Sequence, residues 1–234
     1  RKRHLMYDEA KPERSPGARI FGEFVDVFRY RSFAMLFMSV LTFWISQGAA
    51  AVLAVHALTY FWKLPANVIQ FIPLSTIVGN VVGIPVCAFL LRRMEKRDIT
   101  AAGLAIFCVC QAVPASLAIL GLMPEGMTLY LTLAAVGFLV GVLATSVLIS
   151  FGSMMMDAAD EHEFLFGVRS EGLYFAGLVF SGKAAIGAGF IVAGLALDLI
   201  GFPRGIAENP NQVIPPDTIR NLGLVAGPCA AIIS

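Results

Sequence analysis

The stretch LYFAGLVFSGKAAIGAGFIVAGLAL, Leu173 to Leu197, decides the fold. About 20 apolar residues cross the hydrocarbon core of a bilayer as a helix, and this run exceeds that with one charged side chain, Lys183. In lipid each backbone N–H and C=O must be satisfied inside the segment, so the run reads as a transmembrane helix. A lone ammonium at that depth costs about 2.5–3.5 kcal/mol on insertion scales, so it either faces a water-filled path or neutralises a carboxylate. No Asp or Glu of this chain lies at a comparable depth. The expected counter-charge therefore belongs to polypeptide outside it.

The rest of the chain has the same character. Of its 234 residues 58% are hydrophobic and only 14% charged, with a mean hydropathy of +0.78, well above a soluble domain. The formal net charge of +1 leaves no basic excess for a nucleic-acid partner. Uncharged or nearly uncharged runs predict helices at about 32–62, 66–91, 99–123, 127–156 and 173–200, with a sixth from about 222 that is cut at 234. The fold class is all-α and integral to the membrane, with residues 32–234 as one helical bundle and the bilayer as its first partner. Cys87, Cys108, Cys110 and Cys229 lie in or beside apolar runs and read as small packing residues rather than as a disulfide or zinc framework.

Orientation follows from basic residues in the connections. Arg92-Arg93-Met94-Glu95-Lys96-Arg97 and the Lys/Arg-rich segment 1–31 are expected on the cytoplasmic side. Alternation then places the Lys63–Asn67 turn, the Pro124–Gly126 turn and the Gly201–Arg220 connection outside, and the Asp157–Gly172 loop inside. Small residues recur at helix-packing spacing: Gly79 and Gly83, Gly137 and Gly141, and Ala185, Gly189 and Ala193. Pro73, Pro85 and Pro114 fall inside spans, where each predicts a local kink.

The densest polar cluster is Asp157-Ala158-Ala159-Asp160-Glu161-His162-Glu163-Phe164, followed by Gly167, Arg169, Glu171 and Gly172. His162-Glu163 opens a zinc-protease H-E-x-x-H pattern, but Phe166 stands where the second histidine is required. No metal is expected there; an ion-pair network closing the cytoplasmic side fits better. An intramembrane enzyme would need paired catalytic groups at membrane depth, and Lys183 alone does not provide them.

The run from Asp157 through Asp160 and Glu163 to Arg169, Glu171 and Gly172, with Lys183 an apolar half-span further on, resembles the segment between helices ten and eleven of the glycoside-pentoside-hexuronide:cation symporters. This melibiose-permease-like group belongs to the major facilitator superfamily. The resemblance implies a carboxy-terminal half of a twelve-helix carrier, with 1–31 as the cytoplasmic linker between halves and the amino-terminal half as a partner. It further implies a multi-pass protein of a plasma membrane, of the bacterial inner-membrane kind. The function it implies is alternating-access symport of a sugar or glycoside, with Na⁺ or H⁺ as coupling ion and no cofactor. Lys183 would lie near the cation site, and Asp157, Asp160, Glu163, Arg169 and Glu171 would belong to a cytoplasmic gate. Leu178 and Val179 stand where melibiose-permease-like members carry polar side chains, and Gly182 adjoins the lysine. An organic anion or a lysolipid-like molecule is the alternative solute; a membrane scaffold would not need the lysine.

Other candidates come from the residues alone. Trp44 and Gln47 lie three apart on the first span and share a face that suits a sugar ring or bundle packing. Asn80, Gln111, Thr145 and Tyr174 line a path or bond across helices, and the sequence leaves both open. His56 is a candidate carrier of a coupling proton by residue type, yet its place beside Tyr60 and Trp62 suits an aromatic belt at the outer interface.

Overall fold

The computed structural model describes residues 31–166, 171–203 and 214–233, and for Arg31, Ser32, His162, Leu165, Phe166, Glu171, Leu173, Tyr174 and Ile233 the backbone alone. Among the described residues there is no strand, and five helices are long and apolar enough to cross a membrane. Helix α1 (Arg31–His56) continues into a π-helical turn (Ala57–Phe61). A short α2 (Ala66–Ile69) precedes α3 (Phe71–Leu90), and α4 (Lys96–Ile119), α5 (Met127–Phe166) and α6 (Glu171–Leu199) follow. The last is α7 (Pro216–Leu224), which runs through a second π-helical turn (Val225–Cys229) into α8 (Ala230–Ile233). Hydroxyls inside these helices donate back to their own turn, as Ser39 does to the Met35 carbonyl at 2.9 Å and Thr42 to that of Met38 at 2.9 Å.

Three elements depart from the sequence expectation, each for a local reason. The run 66–91 is two helices rather than one. Proline at 73 has no N–H for the Ile69 carbonyl and its ring crowds that carbonyl, so α2 stops at Ile69 and Pro73 occupies the first turn of α3 instead of kinking its interior. Pro85 and Pro114 do lie inside α3 and α4.

The loop expected to begin at Asp157 is helix as far as Phe166, so α5 has 40 residues and measures about 60 Å at 1.5 Å per residue, twice the hydrocarbon core. The charges stand on its exposed side at Asp157, Asp160 and Glu161, while Ala158 and Ala159 are buried. Ala159 joins Phe33, Phe37 and Met155 in one cluster, so the extension is held against the first turns of α1. At the other terminus Pro215 and Pro216 start a helix rather than prolong a connection: Pro216 takes the first helical position, where its missing N–H costs nothing. The final helical run thus begins six residues before the expected 222.

Two glycine-mediated crossings organise the bundle. A Cβ on Gly79 would overlap the Phe138 carbonyl, and one on Gly141 would overlap the Thr76 carbonyl, so α3 and α5 touch backbone to backbone. A Cβ on Gly48 would overlap the Ile186 carbonyl and one on Gly189 the Ile45 carbonyl, which gives the same contact between α1 and α6. The two pairs are joined by a buried layer of Val40 and Phe43 from α1, Phe107 from α4, and Ala144, Val147 and Phe151 from α5. Helix α4 packs on α5 and on the second π-helical turn, where Gly227 leaves room for Ala115.

Candidate functional site

Trp44 lies directly after Phe43 and packs on the buried layer that joins the helix pairs; the two rings meet edge-on at 6.3 Å. From there the indole reaches α6, and a Cβ built on Gly182 would stand 3.4 Å from Trp44 Nε1. The next residue is Lys183, whose side chain is exposed. Gln47, on the same face of α1 as Trp44, is half-buried. Neither the indole N–H, the Gln47 amide nor the Lys183 ammonium has a hydrogen-bond or ionic partner among the described residues. The faces of α6 differ sharply. Gly182, Ala185, Gly189 and Ala193 are buried, those at 182 and 189 against α1, whereas a Cβ at Gly187 or Gly194, on the Lys183 side, would meet nothing within 4 Å.

Asn80 belongs to the other helix pair. Its side-chain oxygen accepts a bond from Thr145 Oγ1 at 3.3 Å, across the α3–α5 crossing. Thr145 follows Ala144 of the joining layer as Trp44 follows Phe43, so both polar groups flank one layer of the bundle. Asn80 and Thr145 thus bond to each other across helices. Tyr174 is placed in α6 by its backbone, and its side chain lies outside the described residues.

At the end of the bundle carrying Arg92–Arg97, Asp157 accepts two bonds from Lys96 Nζ, at 2.6 and 2.8 Å. Lys96 opens α4, where a cation opposes the helix dipole, and the α5 carboxylate offsets this. The side chains are 37% and 60% exposed, so the pair is worth about 0.2–1 kcal/mol. Lys96 was read for topology only; the missed signal was the extension of α5, which carries Asp157 to the start of α4. Asp160 is exposed and Glu163 half-buried on that extension. Arg169 lies outside the described residues, and Glu171 opens α6 with its side chain outside them.

The opposite end holds an aromatic cluster. Helix α6 closes with Gly201 at φ 68° and two turn bonds, Gly201 N–H to the Asp198 carbonyl and Phe202 N–H to that of Leu197. This places the buried Phe202 ring 5.3 Å from both His56 and Tyr60. His56 Nδ1 is 2.9 Å from the Val52 carbonyl, so in that bond it carries the proton. The arrangement ties the end of α1 to the end of α6 and spends the histidine on packing. Among the described residues no three His, Cys, Asp or Glu side chains gather as a metal site would require.

A bundle of membrane-length helices, with a cation and two polar side chains uncommitted beside its central layer, is the architecture of a multi-pass membrane transporter. The family model described as MFS/sugar transport protein matches residues 1–233, and the chain belongs to that family. No curated protein and no solved structure matches it.

Proposed function

We propose that the chain is the carboxy-terminal half of a melibiose-permease-like symporter that moves a sugar or glycoside by alternating access, coupled to Na⁺ or H⁺. The observation carrying this reading is Lys183: an exposed ammonium within a membrane-length helix, beside an indole, with no carboxylate partner among the described residues. An ammonium so placed competes with a coupling cation for acidic groups of the other half, whose charge it neutralises when the cation leaves. Trp44 and Gln47 offer a ring platform and an amide to the solute, and Tyr174 and Asn80 border the path. The Asn80 oxygen is engaged by Thr145, which leaves its NH₂ for a hydroxyl.

Residues 1–31 serve as the cytoplasmic linker, which puts the Lys96–Asp157 end at the cytoplasmic face of a bacterial plasma membrane. There Asp157, Asp160, Glu163, Arg169 and Glu171 form the inner gate. Lys96 holds Asp157 within this half, and an exposed pair of that strength exchanges readily for a cation of the other half as the two rock. A second reading, an organic anion or lysolipid-like solute, draws on Phe175, Val179 and Phe180, which leave an exposed apolar approach to Lys183. Solute binding to the full-length carrier across pyranosides, organic acids and lysolipids, with and without Na⁺ and at two pH values, tests both. Cation-stimulated pyranoside binding is the expected result; cation-independent binding of organic acids or lysolipids alone would replace the first reading by the second.

A further inference from the structure

We infer that Gly182 sets the solute specificity of this carrier by seating the Trp44 indole, an assignment that rests on the sugar-carrier reading above. The pyrrole edge of the indole lies over the bare backbone at Gly182: a Cβ there would stand 3.4 Å from Nε1, 3.6 Å from Cδ1 and 3.7 Å from Cε2. These are ordinary van der Waals distances, so a methyl group fits and a larger side chain directed at the ring does not. A γ-carbon reaches about 1.5 Å further than a Cβ, so any branched residue at 182 levers the indole away. The indole also meets the Phe43 ring edge-on at 6.3 Å and packs against the joining layer while staying half-buried, so its position is set by contacts on both α1 and α6. Lys183 is the next residue along α6, with its side chain on the exposed face rather than against the indole.

A half-buried indole packed against the residue that precedes an ammonium-bearing one suits a solute with a ring face of C–H groups and a polar edge, which is the chemistry of a pyranose. Acyclic polyols present no such face. Gly182 is therefore a positioning residue that acts through Trp44, and its backbone does not touch the solute.

The test uses the full-length carrier with Gly182→Ala, Gly182→Val, Trp44→Ala and the double variant Gly182→Val with Trp44→Ala, each measured for KM and maximal rate of pyranoside uptake, for uptake of an acyclic polyol, and for cation half-activation. The expected KM for the pyranoside rises slightly with alanine and roughly threefold to tenfold with valine, the size of an aromatic ring contact. Polyol uptake and cation half-activation stay put. The double variant matches Trp44→Ala, because Gly182→Val has nothing left to displace. Additive effects in the double variant, an unchanged pyranoside KM with valine, or a parallel shift of cation half-activation would overturn the assignment. If Gly182→Val does not reach the membrane, Gly182→Thr and Trp44→Phe provide the same comparison. A wild-type carrier that takes up no pyranoside sinks the sugar reading itself, an outcome distinct from wild-type uptake with additive variants.

Discussion

The α3–α5 crossing and the α1–α6 crossing both bring backbones together through glycine, yet the polar side chains beside them end in opposite conditions. Asn80 and Thr145 bond to each other across the first crossing. Trp44, Gln47 and Lys183 beside the second have no partner among the described residues. Identical packing chemistry thus supports a closed polar pair in one place and an open polar group in the other. In lipid an unpaired polar group is costly and calls for a counterpart, whereas the Thr145 hydroxyl and the Asn80 oxygen already satisfy each other through helix association.

The largest expected effect comes from breaking the packing common to both. Gly141→Leu must push its side chain into the Thr76 carbonyl and the α3 backbone, and the purified protein should lose about 3 kcal/mol or more of stability, measured as a lowered unfolding temperature in detergent. Gly187→Leu, whose Cβ faces open space on the Lys183 side, should leave that temperature nearly unchanged. A smaller change of opposite sign is expected at Ser150 on α5, a fully buried residue whose hydroxyl lacks a hydrogen-bond partner among the described residues. Ser150→Ala should stabilise by about 1 kcal/mol, read from the same unfolding curve. Removing the closed pair by Thr145→Ala should cost about 0.6 kcal/mol, the mean for such bonds in membranes, and leave solute affinity where it was. Smallest is Lys96→Ala, at about 0.5 kcal/mol or less, with stability restored by exchanging the charges in Lys96→Asp with Asp157→Lys.

Much of this was legible in the sequence because lipid imposes one rule on every span. Uncharged runs located the five membrane-length helices but not the ten-residue extension of α5 or the break at Gln70, and the spacings of Gly79 with Gly83 and of Gly137 with Gly141 marked contact faces. Which face meets which is a tertiary fact, and only the structure pairs α3 with α5 and α1 with α6. Charge misled the reading at 157–166: Asp157, Asp160 and Glu161 look like a loop until Ala158 and Ala159 are seen buried on the other side of one helix. Pro73 was read as a kink because position alone does not distinguish a helix interior from a first turn. Asp157 was given to the gate without Lys96, whose proximity arises from the length of α5. Lys183 was found from cost alone, and the structure adds what the sequence could not, the indole packed on the glycine beside it.

Solute uptake driven by an inward cation gradient in the full-length carrier with Lys183→Ala bears most directly on the contrast between the two crossings. The neutral variant should insert, remain at least as stable as wild type once the cost of a charge at membrane depth is removed, and bring solute only to equilibrium, with no stimulation by Na⁺ or H⁺. Concentrative uptake with its cation dependence intact would mean that the ammonium has no part in coupling, and the functional assignment of the α1–α6 side would fall.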